Sequence, residues 1–349
     1  DILANLARST DWPFDVFQVD DGYQRAIGDW LDTSPAFPSG LEALATRVTD
    51  AGHQAGIWLA PFLAAPDSQV ATQHPDWLAQ RRRTDESLSP LIVWQNPSWG
   101  GGRGGLMHCL DTTRPEVTAH LEGVARAMVE LGYRYLKLDF TFAPSGDGIW
   151  FDPSLTPAQR VRRGYAAIRH GAGPDAFILA CGAPLSHVVG LVDGARIGQD
   201  VAPRWSLDPG DEVVPGYLAT QPATQMAWAS TAARAFMHRR LWLNDPDCLM
   251  LRTSGTLLRP EAAATWARAV GLSGGMALVS DDLALLGRSA RTLLDECLEL
   301  GRASDAAARA GSTPVVRSLL DSAIPTDIEA AGRRLEVDTA DGSSRLTGP

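Results

Sequence analysis

The order of local patterns along the 349-residue chain is the feature that most constrains its fold. A short β-branched or aromatic run is followed by a polar loop and then by an amphipathic helix that ends at glycine, and this unit recurs. The candidate strands are residues 16–20, 55–59, 133–139, 177–180, 195–198, 241–243 and 276–279. Strands that alternate with helices run parallel and are covered by those helices. The sequence therefore predicts an α/β fold.

The helix boundaries follow the same unit. Ser39, Thr113 and Thr156 each precede an acidic or amide side chain by three residues, which is the spacing of a capping box.

Seven candidate strands are one fewer than a closed (β/α)8 TIM barrel requires, and residues 2–7 read as a helix. We therefore expect such a barrel lacking its first strand in this chain. An open doubly wound sheet is the alternative, but no G-x-G-x-x-G follows the first strand.

Domain limits follow from where the repeat fades. We assign residues 1–310 to the barrel and residues 311–349 to a partial C-terminal β-domain or tail. Residues 62–107 form a long interruption that carries tryptophan and is glycine-rich around residues 100–105. Connections of that length are typical of lids or binding loops.

Charge and cysteine usage exclude several function classes. The net charge of -10 opposes binding to phosphate backbones and anionic lipid, so we expect no nucleic-acid or membrane partner. Cys109, Cys181, Cys248 and Cys297 are widely spaced and lack metal-site spacing, which predicts free thiols in a reducing compartment. No apolar run would span a bilayer, and the first ten residues do not resemble a signal peptide. We therefore predict a cytoplasmic location.

The chemistry is expected where polar residues follow the predicted strands. Strand alternation places Lys137 and Asp139 on one face at the carboxyl end of their strand, where barrel enzymes carry their active sites. A nearby ammonium favours the ionised carboxylate that a nucleophile needs. A structural Lys–Asp pair is the alternative.

Asp20 and Asp21 end the first predicted strand. Two adjacent carboxylates repel each other unless sugar hydroxyls, a cation or a buried base bind them. A simple Asp-Asp-Gly turn is one alternative. A metal site is another, although the next acidic residue, Asp29, lies apart in the sequence.

A basic residue and an acid recur together on a later strand, as Arg196 and Asp200. Two carboxylates on separate strands of one barrel could attack an acetal carbon and protonate its leaving oxygen, respectively.

Other strand ends leave alternatives open. Trp58 could stack on a sugar or belong to the core, and Cys181 suits a packed wall better than a nucleophile. Residues 244–247 read as a turn that supports strand ends, and residues 281–282 could line the site or cap a helix.

Seven segments strengthen this interpretation: FQVDDGYQRAIGDW, GIWLAPF, HPDW, YRYLKLDF, FILACGAPL, VDGARIGQD and RLWLNDPDCLMLR, within roughly residues 10–285. Together and in this order they resemble family 36 glycoside hydrolases, the bacterial α-galactosidases or melibiases. The resemblance implies that Asp139 in K-x-D is the nucleophile and that Asp200 in R-I-G-x-D is the general acid/base. It also implies a galactose-binding site formed by Asp20, Asp21, Trp58, Lys137, Cys181, Gly182 and Arg196.

The resemblance implies release of terminal α-linked galactose from oligosaccharides with retention of configuration, without metal or organic cofactor. The family's N-terminal β-sandwich and Cys-Ser-Trp-like first barrel strand have no counterpart in the sequence, so we expect an incomplete form of such an enzyme. An α-N-acetylgalactosaminidase, a raffinose-synthase-like transferase and a non-catalytic sugar-binding barrel remain alternatives. Homo-oligomer formation is left open.

Overall fold

In a computed structural model, the described residues are 2–95, 105–207 and 222–348, and the chain divides into two compact units, Asp1–Asp193 and Gly194–Pro349. The elements of the first unit are α1 Ile2–Ser9, β1 Val16–Val19, α2 Gly40–Asp50, β2 Gln54–Leu59, β3 Leu63–Ala64, α3 Gln69–Gln73, β4 Gln80–Arg82, β5 Leu88–Pro90, β6 Ile92–Gln95, β7 Leu106–Cys109, α4 Pro115–Glu130, β8 Tyr135–Leu138, α5 Pro157–Ala172, β9 Phe177–Ala180 and α6 Leu185–Val188.

A parallel sheet in the order β1-β2-β8-β9 forms the centre of the first unit. Its register pairs Trp58 of β2 with Lys137 of β8. Every residue of β8 is buried, which explains why this strand reads as an almost continuous apolar run. Because the four strands are parallel, their carboxyl ends meet at one edge, where the predicted site residues Asp20, Asp139 and Cys181 follow their strands.

Helices α4 and α5 pack against each other at Gly171. A Cβ at that position would lie 2.1 Å from the backbone oxygen of Glu122, so only glycine permits this approach. The predicted capping box at Thr156 is confirmed, with Gln159 as its reciprocal partner.

The other two predicted capping boxes are wrong. Ser39 has helical backbone angles and makes no side-chain cap bond to α2. Helix α4 begins after Arg114 instead of Thr113. The Thr113 hydroxyl donates to the carboxylate of Asp111, so it is used within the preceding loop.

The long segment between β2 and α4 is more ordered than the sequence pattern indicates. It forms an antiparallel sheet in the order β3-β7-β6 and a separate hairpin of β4 and β5. These strands have two to four residues, too few for a recognisable alternation. Most of the glycine-rich stretch lies outside the described residues.

The second unit contains β10 Gly194–Arg196, α7 Thr224–Arg234, β11 Leu243–Asp245, β12 Cys248–Leu249, α8 Pro260–Ser273, β13 Leu278–Val279, α9 Arg288–Arg309, β14 Asp327–Ala330, β15 Arg333–Val337 and β16 Ser344–Thr347. Strands β10 and β11 pair in parallel, as do β12 and β13. Strand β11 begins at the last residue of the predicted strand 241–243, so that prediction is two residues early.

The C-terminal strands β14, β15 and β16 form an antiparallel sheet. Side chains connect this region to the helices of the same unit. The Thr265 hydroxyl of α8 lies 2.7 Å from the Ser344 hydroxyl of β16. The Trp228 indole of α7 donates to the backbone oxygen of Pro325 at 2.7 Å. The predicted boundary at residue 310 therefore lies inside this second unit.

Among the described helices, none has the length and apolar character needed to cross a membrane.

Candidate active site

The carboxylate of Asp139, at the end of β8, accepts a hydrogen bond on each oxygen. The Phe140 backbone N–H donates to Oδ1 at 2.7 Å, and the Trp58 indole N–H donates to Oδ2 at 3.0 Å. Two donors on different oxygens fix both the position and the plane of the carboxylate. Strand β2 supplies Trp58 because its register places this residue beside Lys137, two residues before Asp139.

The backbone around Asp139 is strained. Phe140 has a φ of 52°, which is unusual for a bulky residue. Gly182, which follows β9, has a φ of 54°, and a Cβ there would lie 3.2 Å from the Phe140 nitrogen and 3.3 Å from Asp139 Oδ1. Glycine at position 182 therefore lets the chain pass close to the candidate nucleophile. Strained backbone is common at functional sites because it places reacting groups where relaxed geometry would not.

A buried hydrogen-bond chain supports this close approach. The Tyr165 hydroxyl donates to Thr141 Oγ1 at 2.8 Å, and that hydroxyl donates to the Cys181 carbonyl at 2.9 Å. Burial raises the pKa of Tyr165, so its hydroxyl keeps the proton that it donates. This chain of hydrogen bonds links α5 to the loops after β8 and β9.

Asp20 and Lys137 form an ion pair across the same edge of the sheet. The Lys137 ammonium lies 2.9 Å from Asp20 Oδ2; the Lys137 side chain is 11% exposed and that of Asp20 is 54% exposed. The adjacent Asp21 accepts a hydrogen bond from Gln24 Nε2 at 2.5 Å. The two neighbouring carboxylates thus have separate basic or amide partners, and Asp20 still presents much of its carboxylate to solvent.

Trp58 lies mostly inside the protein. It is 2% exposed, and its ring packs edge-on against Trp30 with centroids 5.9 Å apart. It contributes its indole N–H to the site through the hydrogen bond to Asp139. Trp30 is an addition that sequence reasoning missed, although it lies within the first of the seven family-like segments.

In the second unit, Arg196 at the end of β10 binds three carboxylates. Its Nε donates to Asp245 at 3.0 Å and its NH1 donates to Asp200 at 3.1 Å. Its NH2 lies 2.9 Å from Asp247 Oδ1. The side chains of Asp245 and Asp247 are buried, whereas that of Asp200 is 75% exposed. The arrangement leaves the candidate acid/base accessible and attached to a buried guanidinium.

Two further acids of this unit that the sequence singled out, Asp281 and Asp282, have structural partners. Asp281 accepts the backbone N–H of Leu251 at 2.8 Å, and Asp282 caps the short 3-10 helix Leu283–Leu285. Within the described ranges, no group of three or more His, Cys, Asp or Glu side chains could hold a metal ion.

Known proteins resemble this chain in sequence and in fold. Residues 2–143 match the Melibiase family model. The structure of TtGalA, an α-galactosidase from Thermus thermophilus, with p-nitrophenyl α-D-galactopyranoside is 30% identical, with a TM-score of 0.75, over 96% of this chain and 62% of that chain. The same enzyme with stachyose gives 32% identity and a TM-score of 0.72 over 85% of this chain and 60% of that chain. The chain is therefore similar to α-galactosidases in sequence and in fold.

The likeness to the TtGalA structures confirms the predicted fold class, an α/β fold of the TIM-barrel type. The chain spans only part of its relatives. Alpha-galactosidase AgaA of Geobacillus stearothermophilus is 32% identical over 101 residues, which are 26% of this chain and 14% of that protein. The α-galactosidase of Escherichia coli is 35% identical over 69 residues, or 18% of this chain and 10% of that one.

Within each unit, the structure brings most of the predicted site residues of this α-galactosidase relative together. Asp139 is hydrogen-bonded by Trp58 and closely approached by the backbone of Gly182, Asp20 pairs with Lys137, and Asp200 pairs with Arg196. Sequence reasoning missed the carboxylate group around Arg196, because it treated residues 244–247 only as a supporting turn. The repeated acids of Asn-Asp-Pro-Asp, beside an isolated strand-end arginine, are the signal that could have indicated it.

Proposed function

We propose that this chain carries the catalytic groups of a retaining glycoside hydrolase that releases terminal α-linked galactose from oligosaccharides. Asp139 is the nucleophile and Asp200 is the general acid/base. The observation that supports this most is the environment of Asp139, whose carboxylate is oriented by the Trp58 indole and by a strained backbone at Phe140. A carboxylate fixed in this way is suited to attack one carbon along one direction.

The first chemical step forms a covalent intermediate. An Asp139 oxygen attacks the anomeric carbon, the bond between that carbon and the leaving oxygen breaks, and Asp200 transfers its proton to the leaving oxygen. In the second step, the Asp200 carboxylate takes a proton from water as the water oxygen attacks the same carbon. The ester bond to Asp139 then breaks, and two inversions leave the α configuration unchanged.

Sugar binding in this proposal uses the pair of Asp20 and Lys137. Asp20 is half exposed and already oriented by an ammonium, so it can accept hydrogen bonds from sugar hydroxyls without moving. Each hydrogen bond to a charged group contributes about 1.5 to 3 kcal/mol. The named α-galactosidase structures with a galactoside and with stachyose support a terminal galactose as the occupant.

A turnover assay tests the activity. The full chain should hydrolyse an aryl α-galactoside and leave the matching α-glucoside and α-N-acetylgalactosaminide largely intact. Preference for the N-acetyl sugar would replace the substrate assignment, and release of galactose onto a second sugar in place of water would indicate a transferase. Absence of turnover together with measurable galactose binding would replace the enzyme by a sugar-binding protein.

Azide trapping tests the two roles. In Asp200→Ala, azide should attack the β-linked intermediate and give α-galactosyl azide. In Asp139→Gly, azide can only displace the leaving group directly and give the β-anomer. Proton NMR of the isolated azides distinguishes the anomers, and exchanged anomers would reverse the assignment.

A further inference from the structure

Asp247 has a backbone conformation that its residue type rarely adopts. Its φ is 86°, in the left-handed region that favours glycine. Its backbone N–H donates to Asp245 Oδ1 at 2.8 Å, a contact within the turn after β11. A strained residue persists only where its surroundings keep it in place, and such residues are concentrated at functional sites.

The carboxylate of Asp247 binds two groups that adjoin Asp200. Its Oδ1 lies 2.9 Å from NH2 of Arg196, the guanidinium that donates to Asp200. Its Oδ2 accepts the backbone N–H of Val201 at 2.8 Å, and Val201 directly follows Asp200. One buried side chain thus fixes the guanidinium on one side of Asp200 and the main chain on the other.

The charges around Arg196 suit the proposed role of Asp200, which must hold a proton in one step and release it in another. Asp245 and Asp247 are buried beside the single positive charge of Arg196. Two carboxylates more than balance one guanidinium, so Arg196 can orient Asp200 by a hydrogen bond without adding a net positive charge that would keep it ionised. Loss of the Asp247 charge would remove part of this balance.

We propose that Asp247 is a positioning residue for the proton transfers of Asp200, acting through Arg196 and the backbone of Val201. The proposal rests on the general acid/base role of Asp200 described above. Asp247 contacts no reacting atom in this scheme. It determines where the Asp200 carboxylate lies and how readily that group carries a proton.

The test compares a poor and a good leaving group. The kcat/KM of methyl α-galactoside depends on protonation of its leaving oxygen, whereas that of 4-nitrophenyl α-galactoside depends on it little. Asp247→Asn should lower the methyl-to-nitrophenyl ratio of kcat/KM about tenfold or more. Asp200→Ala should lower it by about 10²- to 10⁴-fold, the usual scale of acid/base assistance. A ratio is independent of the fraction of folded protein.

Asp327→Asn is the matched control. Asp327 is also a buried carboxylate of the second unit that accepts a backbone N–H, that of Ser318 at 2.9 Å, and lies near a guanidinium, that of Arg334 at 3.4 Å. Its substitution should lower the thermal midpoint without changing the ratio. If Asp247→Asn gives the same unchanged ratio, the residue is merely structural and the positioning proposal is overturned.

A double variant separates this proposal from the proposed function. If Asp247 acts through Asp200, Asp247→Asn should lower the ratio no further in the Asp200→Ala background. An additional tenfold loss there would overturn the positioning role while leaving Asp200 in place. An unchanged ratio in Asp200→Ala alone would refute the acid/base assignment itself, and the Asp247 proposal with it.

Discussion

The orientation of Asp139 depends on single donor groups, and Trp58 is the one that substitution can remove. Trp58→Phe keeps an aromatic ring against Trp30 but removes the N–H that binds Asp139 Oδ2. A hydrogen bond to a charged group contributes about 1.5 to 3 kcal/mol. We expect kcat/KM for an aryl α-galactoside to fall by about 10- to 150-fold, because the attacking carboxylate loses one of its two orienting bonds.

The control for Trp58→Phe is Trp228→Phe. Trp228 is fully buried and donates its indole N–H to the Pro325 carbonyl, away from any proposed catalytic residue. Both variants should lose thermal stability, since each leaves a smaller side chain in a packed site. Only Trp58→Phe should lose activity per folded molecule. Equal activity of the two folded variants would show that the indole N–H does not orient the nucleophile.

At the scale of elements, sequence patterns located the buried parallel strands of the central sheet and missed the antiparallel strands of the segment between β2 and α4. The predicted strands 55–59 and 177–180 correspond closely to β2 and β9, because buried parallel strands are continuous apolar runs. Strands β3 to β7 were not predicted. Their two to four residues are stabilised by pairing partners distant in sequence, which a local pattern does not contain.

Helix starts show the same limitation and permit a direct test. Thr156 and Ser39 have the same capping-box spacing, but only the Thr156 side chain bonds to its helix. Thr156→Ala should therefore lower the free energy of unfolding by about 1 kcal/mol. Ser39→Ala should change it by less than about 0.5 kcal/mol, as for an exposed substitution without a lost cap. Urea unfolding measures both, and equal losses would contradict the cap geometry of α2.

At the scale of the whole molecule, the sequence predicted which residues carry the site better than how they bind one another. Lys137 was expected to act on Asp139, and its ammonium pairs with Asp20, which follows another strand. Arg196 was expected at the sugar, and it binds three carboxylates. These contacts depend on strand register and on side-chain direction between elements. Neither is encoded in the local spacing of residues.

Ionisation of buried thiols gives a prediction that concerns stability across the chain. Burial raises the pKa of Cys109 in the first unit and raises that of Cys297 in the second unit to about 12. An unfolded thiol has a pKa of about 8.5. Between about pH 8.5 and the pKa of the folded thiol, only the unfolded chain releases the thiol proton, so rising pH favours unfolding in that range. The stability that the protonated thiol contributes is therefore fully present below about pH 8.5 and is lost as the pH rises toward the pKa of the folded thiol.

Cys297→Ala should therefore flatten the alkaline dependence of stability. Each pH unit above 8.5 removes about 1.4 kcal/mol per buried thiol, so about 2 kcal/mol of the loss between pH 8.5 and pH 10 should disappear in the variant. The control is Leu294→Ala on the same helix, since Leu294 is equally buried and does not titrate. It should lower stability by a similar amount at every pH. Urea unfolding under reducing conditions at pH 7, 8.5 and 10 provides the comparison, and parallel pH profiles for the parent and Cys297→Ala would show that this thiol ionises as readily in the folded protein as in the unfolded chain.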